Sequence, residues 1–256
     1  MPKHTYWFTY VLDLFPALKH NAKAVGDSFI GHQHPDWRST EPVLTALFYM
    51  VILLVVGVYV RSKFRKLDEA VVPDDKLTLP GFFEMFLGYF YDLAKDVMGA
   101  SNARRYFPII GGSALFIFFS NIVGLIPGVG SPTSSLNITL GSALTVFIAF
   151  NYFGLKEQGF AYIAHLAGPK WYLAPLIFPI EVISTCVRPV TLAMRLMVNI
   201  SVDHLLGAIF LGSVALLVPI PVILLGMIVC VVQTIVFCLL TCVYIGLATE
   251  HAEEHH

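Results

Sequence analysis

The sequence predicts an all-α integral membrane protein of about five membrane-embedded helices plus one amphipathic surface helix, the last two embedded helices forming a long, strongly tilted hairpin. Three observations carry this prediction. The 256-residue chain is 57% hydrophobic and only 13% charged, about half the charged fraction of a soluble domain. Its apolar runs are long and unalternating, as spanning helices require and barrel strands do not. Within the apolar segment 171–217, the polar residues recur at helical spacing. The net charge of −1 gives no case for nucleic-acid binding. Residues 1–30 lack a signal-peptide core, because Asp13, Lys19, His20 and Lys23 interrupt every apolar run.

Residues 1–41 read as a periplasmic or interfacial segment, with the aromatic stretch 6–11 as its headgroup anchor. A first transmembrane helix follows at 42–60, closed by Arg61, Lys63, Arg65 and Lys66. The loop 61–106 contains the amphipathic helix, at 80–98, where Glu84, Asp92 and Asp96 oppose aromatic residues. A two-helix hairpin occupies 107–156, with spans at about 107–127 and 138–154 around a polar Gly/Pro/Ser turn. Residues 171–249 form the tilted hairpin, broken by Pro219 and Pro221 before a last helix at 222–248. The tail 250–256 is polar.

Orientation follows from the basic residues. With the N-terminus outside, the cytoplasmic flanks 61–79, 92–106 and 156–170 hold ten Lys/Arg, against Lys3, Lys19, Lys23 and Arg38 on the other side. That asymmetry places the C-terminus in the cytoplasm.

The only Lys/Arg residues after Lys170 are Arg188 and Arg195. An arginine at bilayer depth stays charged and is costly, so it points to function. Glu181, Ser184, Arg188, Thr191, Arg195, Asn199 and Asp203 follow at steps of three or four. At roughly 100° per residue they share an arc of about 120°. A helix over 175–217 extends ~64 Å at ~1.5 Å per residue, far more than a hydrocarbon layer of ~30 Å. It must therefore tilt or bend, with Pro179 and Pro189 as bend points.

Ser184 and Thr191 fit helix–helix hydrogen bonding as well as path lining. Arg188 lies near the cytoplasmic boundary, where it can snorkel or pair with Glu181. Arg195 is too deep to snorkel and has no acid three or four residues away. Asp203 and His204 add titratable groups beyond it, suited to a proton relay. Gln233, on the last helix, serves either an interhelical bond or Arg195, with Arg195 the expected partner. Tyr244 reads as an interfacial anchor. Cys186, Cys230, Cys238 and Cys242 read as small buried hydrophobes, and His251, His255 and His256 as a solvated tail rather than a metal site. No cofactor or metal is expected.

Arg188-Pro189-Val190-Thr191-Leu192-Ala193-Met194-Arg195-Leu196, followed by Asn199, resembles the signature of subunit a of the bacterial F-type ATP synthase, the membrane proton channel subunit. The stretch Phe118-Phe119-Ser120-Asn121-Ile122-Val123-Gly124-Leu125-Ile126-Pro127 resembles that family's second-span motif. Pro132-Thr133 with Asn137-Ile138-Thr139 resembles the next loop, and Gln233 with Tyr244 fits the last helix. The resemblance covers about residues 5–250. Val198 stands where relatives usually have Gly, His204 where Glu is common, Asp203 where a small residue is usual, and Gly226 where some place His. The outer acid and base are therefore redistributed.

The resemblance implies a bacterial inner-membrane, multi-pass stator subunit packed against a rotating c-ring and joined by b-type peripheral stalk subunits and the remaining ATP synthase subunits. Asn199, Asp203, His204 and Gln233 would line an outer half-channel, and Glu181 and Ser184 a cytoplasmic one, with Arg188 at the inner boundary. Arg195 would face the ring carboxylates, favour their ionised form and stop protons crossing directly. The chain would be a transport component and not itself a catalyst. A sodium-coupled version fits the same residues, since ion choice is expected to reside in the ring. A self-contained secondary transporter would show internal repeats, which are not found, and a passive scaffold would not need a buried arginine.

Overall fold

The computed structural model of the full chain describes residues 41–64, 78–126, 130–159, 174–213 and 219–249. The expectations for the aromatic stretch 6–11 and for the histidines of the tail lie outside these residues. Five helices are long and apolar enough to cross a membrane, and every element among the described residues is helical.

Helix α1, Glu41–Phe64, runs one turn past the expected 42–60 and carries Arg61 and Lys63 in its last turn. Most of its apolar side chains are exposed, and it packs on the rest of the chain through buried Thr45 and Tyr49. Helix α2, Leu79–Gly124, opens with a cap from Thr78 and contains one break, at Gly99 (φ 79°, ψ 162°). That backbone conformation is strained for any residue with a Cβ, so glycine is what lets the chain reverse there.

The reversal decides where the amphipathic segment goes. Residues 79–98 are helical, with Glu84, Asp92 and Asp96 exposed as expected. Their apolar face is covered by protein. Phe83 stacks on Phe119 (5.7 Å), Phe86 meets Phe118 (4.7 Å) and Tyr91 meets Phe107 (5.3 Å), while Leu87 sits over Gly111. The descending order of these partners means that 79–98 runs back antiparallel along 100–124. A helix lying flat beside an upright span would meet it only near their junction.

A short 3-10 turn, Pro132–Ser134, leads into helix α3, Leu136–Gln158. Helix α4, Ala174–Ser213, is unbroken over 40 residues with Pro179 and Pro189 inside it, an extent of ~60 Å. Helix α5, Pro219–Thr249, begins at the prolines expected to precede it. The correction has a simple cause: first-turn N–H groups have no helical acceptor, so proline loses nothing there.

Two buried clusters join the helices. One gathers Phe90, Ala94, Met98, Ala103, Tyr106 and Ile110 of α2 with Phe150 of α3 and Cys238, Cys242 and Ile245 of α5. The other gathers Ile117, Ala143, Val146 and Phe237 around Leu192, Ala193 and Leu196 of α4. In lipid, helix association comes from close packing and not from water exclusion. The small residues at these seams, among them Ala94, Ala103, Ala143 and Ala193, let the backbones approach. Cys230, Cys238 and Cys242 are buried as expected, whereas Cys186 is exposed on α4.

Candidate functional site

The second cluster fixes the stretch of α4 that carries the deep arginine. Leu192, Ala193, Leu196 and Ile200 are all buried, and Arg195 points away from them, exposed. Its neighbours on that outer face are Val187, Val190, Met194, Val198 and Val202, each exposed. The described residues form ion pairs between Arg105 and Glu157 and between Arg188 and Glu181, and Arg195 belongs to neither. A cation on a helix packed along its opposite face thus stands among apolar side chains with no countercharge from the described part of its own chain.

The polar stripe divides along the edge of the α4–α5 contact. Advancing at roughly 100° per residue, Glu181, Arg188, Asn199 and Asp203 fall at the margin of the buried arc, and all four are half-buried. Ser184, Thr191 and Arg195 fall beyond it and are exposed. Three of the margin residues find partners, Glu181 in Arg188 and Asn199 in Gln233, while the outward ones face away from the protein. Thr191 adds a local bond, its hydroxyl donating to the Arg188 carbonyl at 2.9 Å.

Toward Ser213, Asn199 Nδ2 donates to Gln233 Oε1 at 3.0 Å. Gln233 is 4% exposed, and its Nε2 has no partner among the described residues. This corrects the expected Gln233–Arg195 pairing: the amide bonds across the helix seam instead, because Arg195 lies outside it. One turn further, Asp203 faces Gly226, where a Cβ would stand 3.7 Å from the carboxyl carbon and from Oδ2. The same Cβ would press Leu125 Cδ2 at 2.7 Å. Gly226 therefore leaves room beside the carboxylate, whose Oδ2 is buried without a hydrogen-bond partner among the described residues. His204 is half-buried next to it in sequence.

Toward Ala174, Arg188 Nη2 lies 3.7 Å from Glu181 Oε1, as the spacing suggested. Its guanidinium carbon also lies 5.2 Å from the centroid of the Tyr244 ring. Tyr244, read from the sequence as an interfacial anchor, thus also contacts α4 from α5.

A polar group that the spacing did not single out lies behind Leu125. Ser131 Oγ donates to the Ser120 carbonyl (3.1 Å) and shares a 2.6 Å bond with Thr133 Oγ1, which in turn donates to Asn121 Oδ1 (2.8 Å). Ser120, Asn121 and Thr133 are fully buried, and Ser131 is nearly so. Ser120 Oγ and Asn121 Nδ2 lack partners among the described residues. Residues 131–133 of the polar turn are thus packed inside the protein. Asn121 and Thr133 lie in stretches whose family resemblance was legible, but their mutual contact required the fold.

Fold and site together define a multi-pass membrane protein whose paired helices carry a polar track interrupted by one exposed arginine, unpaired among the described residues. The chain matches the family described as ATP synthase A chain over residues 43–246, and it belongs to that family. It is 63% identical to an ATP synthase subunit a of Sorangium cellulosum over 255 residues, all of both chains. It is 43% identical over 204 residues to an ATP synthase subunit a of Syntrophotalea carbinolica, covering 80% of this chain and 84% of that one. An ATP synthase subunit a of a Sulfurihydrogenibium species is 37% identical over 211 residues, 82% of this chain and 98% of that one.

Proposed function

We propose that the protein is the proton-conducting stator subunit of an F-type ATP synthase, placed in a bacterial inner membrane with its N-terminus outside and C-terminus in the cytoplasm. Its partners are a c-ring, b-type peripheral stalk subunits and the other subunits of the complex. The observation that carries the reading is Arg195, exposed on an apolar face and unpaired among the described residues. A charge so placed calls for a countercharge from a neighbouring molecule, and a ring of membrane-buried carboxylates supplies one at each step of rotation.

Asn199, Asp203, His204 and Gln233 form the outer half-path, and Glu181 and Ser184 the cytoplasmic one, with Arg188 at its boundary. A proton enters from outside, passes by way of Asp203 or His204, and neutralises a ring carboxylate, which then rotates through lipid. On the far side of Arg195 the carboxylate meets the inner path. The guanidinium favours its ionised form, so the proton leaves toward Glu181. The fixed charge also repels a proton moving straight along α4, and this couples flow to rotation.

Arg195→Ala is expected to abolish ATP synthesis driven by an imposed proton gradient in inverted vesicles, with the complex still assembled. Substantial coupled synthesis by an assembled Arg195→Ala complex would overturn the reading. Repeating the assay with and without Na⁺ separates proton from sodium coupling.

A further inference from the structure

Arg188 is held from two sides. Its bond to Glu181 is long, at 3.7 Å, and the two side chains are 30% and 43% exposed, so the ion pair alone would hold neither of them firmly. The guanidinium also faces the Tyr244 ring at 5.2 Å, and a planar guanidinium suits such stacking better than an ammonium does. The ring in turn is braced. Phe150 of α3, 3% exposed, lies 5.9 Å from it between centroids, with Phe147 5.3 Å behind. Support therefore runs from α3 through the α5 ring to Arg188 on α4, and ends at Glu181.

We propose that Tyr244 is a positioning residue for the cytoplasmic half-path: its ring clamps Arg188 to α5, and Arg188 holds the Glu181 carboxylate at a fixed place. The inference rests on the reading of Glu181 as part of that path. It assigns the role to the ring face and leaves the hydroxyl dispensable. An interfacial anchor would behave in the opposite way, since it needs a polar tip at the headgroup level.

Passive proton conductance of the assembled membrane sector, stripped of its catalytic head in inverted vesicles, distinguishes these roles. Glu181→Gln and Arg188→Gln are expected to lower it. Tyr244→Leu is expected to lower it roughly fivefold, the worth of one cation–π contact, while Tyr244→Phe keeps at least about half of the rate because the ring face survives. Combining Arg188→Gln with Tyr244→Leu should add little to Arg188→Gln alone, because both break one chain of support. Tyr244→Met, which keeps bulk without a ring, replaces the leucine variant if that fails to assemble. Normal conductance in the ringless variants, or equal loss in Tyr244→Phe and Tyr244→Leu, overturns the clamp and leaves the half-path standing. Normal conductance in Glu181→Gln overturns the inner half-path itself, and the clamp with it.

Discussion

The Asn199–Gln233 bond is a measurable link between the two helices of the hairpin. Replacing Asn199 with Leu removes the donor and leaves the Gln233 amide buried, with its Oε1 joining its Nε2 as unpartnered among the described residues. Stranding a buried polar group costs about 1–3 kcal/mol, whereas removing both partners can be nearly neutral. In lipid the coupling between such partners averages about 0.6 kcal/mol and reaches about 1.7. The bond is 3.0 Å long and Gln233 is 4% exposed, so the upper half of that range is expected. A coupling of about 1–1.7 kcal/mol is roughly a 5- to 17-fold effect on an unfolding equilibrium. Asn199→Leu, Gln233→Leu and the double variant would be unfolded in mixed micelles of rising SDS fraction and scored by pulse proteolysis. The double variant should lose less than the sum of the singles by that margin. Additivity within about 0.3 kcal/mol would refute the claim that this bond ties α4 to α5.

Two further outcomes test the surroundings of the track. Gly124→Ala would put a Cβ 2.4 Å from Ser131 Cβ and 2.8 Å from its Oγ; the overpacking should cost about 1–3 kcal/mol, read as less assembled complex after growth at raised temperature. Asp203→Asn combined with His204→Gln should slow ATP-driven proton pumping by about tenfold or more, as loss of a positioned proton relay does; unchanged pumping would move the outer path elsewhere.

Much of this architecture is written locally. The first and third spans are apolar runs closed by charges, Arg61 and Lys63 on α1 and Lys156 on α3, and the stripe on α4 declares itself by three- and four-residue steps. The Glu181–Arg188 pair is two turns apart on one helix and follows from the same arithmetic. What the sequence leaves open depends on register between helices. Gln233 and Tyr244 belong to α5, and whether either meets α4 turns on how the hairpin closes, which no local spacing encodes. The same holds for Asn121 and Thr133, which meet only because the chain folds back after Gly124. Residues 79–98 show a different shortfall. Amphipathicity reveals that one face is apolar, but whether lipid or a neighbouring helix covers it is decided by a single glycine at 99.

The solitary charge at Arg195 also bears on how the protein is made. A charged side chain at the centre of a membrane helix costs roughly 2.5–3.5 kcal/mol on insertion, equivalent to about a hundredfold in equilibrium population. Nothing among the described residues relieves that cost by pairing with Arg195. On the proposed reading relief comes when the ring arrives, so the residue that separates the half-paths also makes the unassembled subunit the less favoured state. Assembly is then favoured by the same charge that later couples flow to rotation, and copies made in excess of the ring stay poorly accommodated in the membrane.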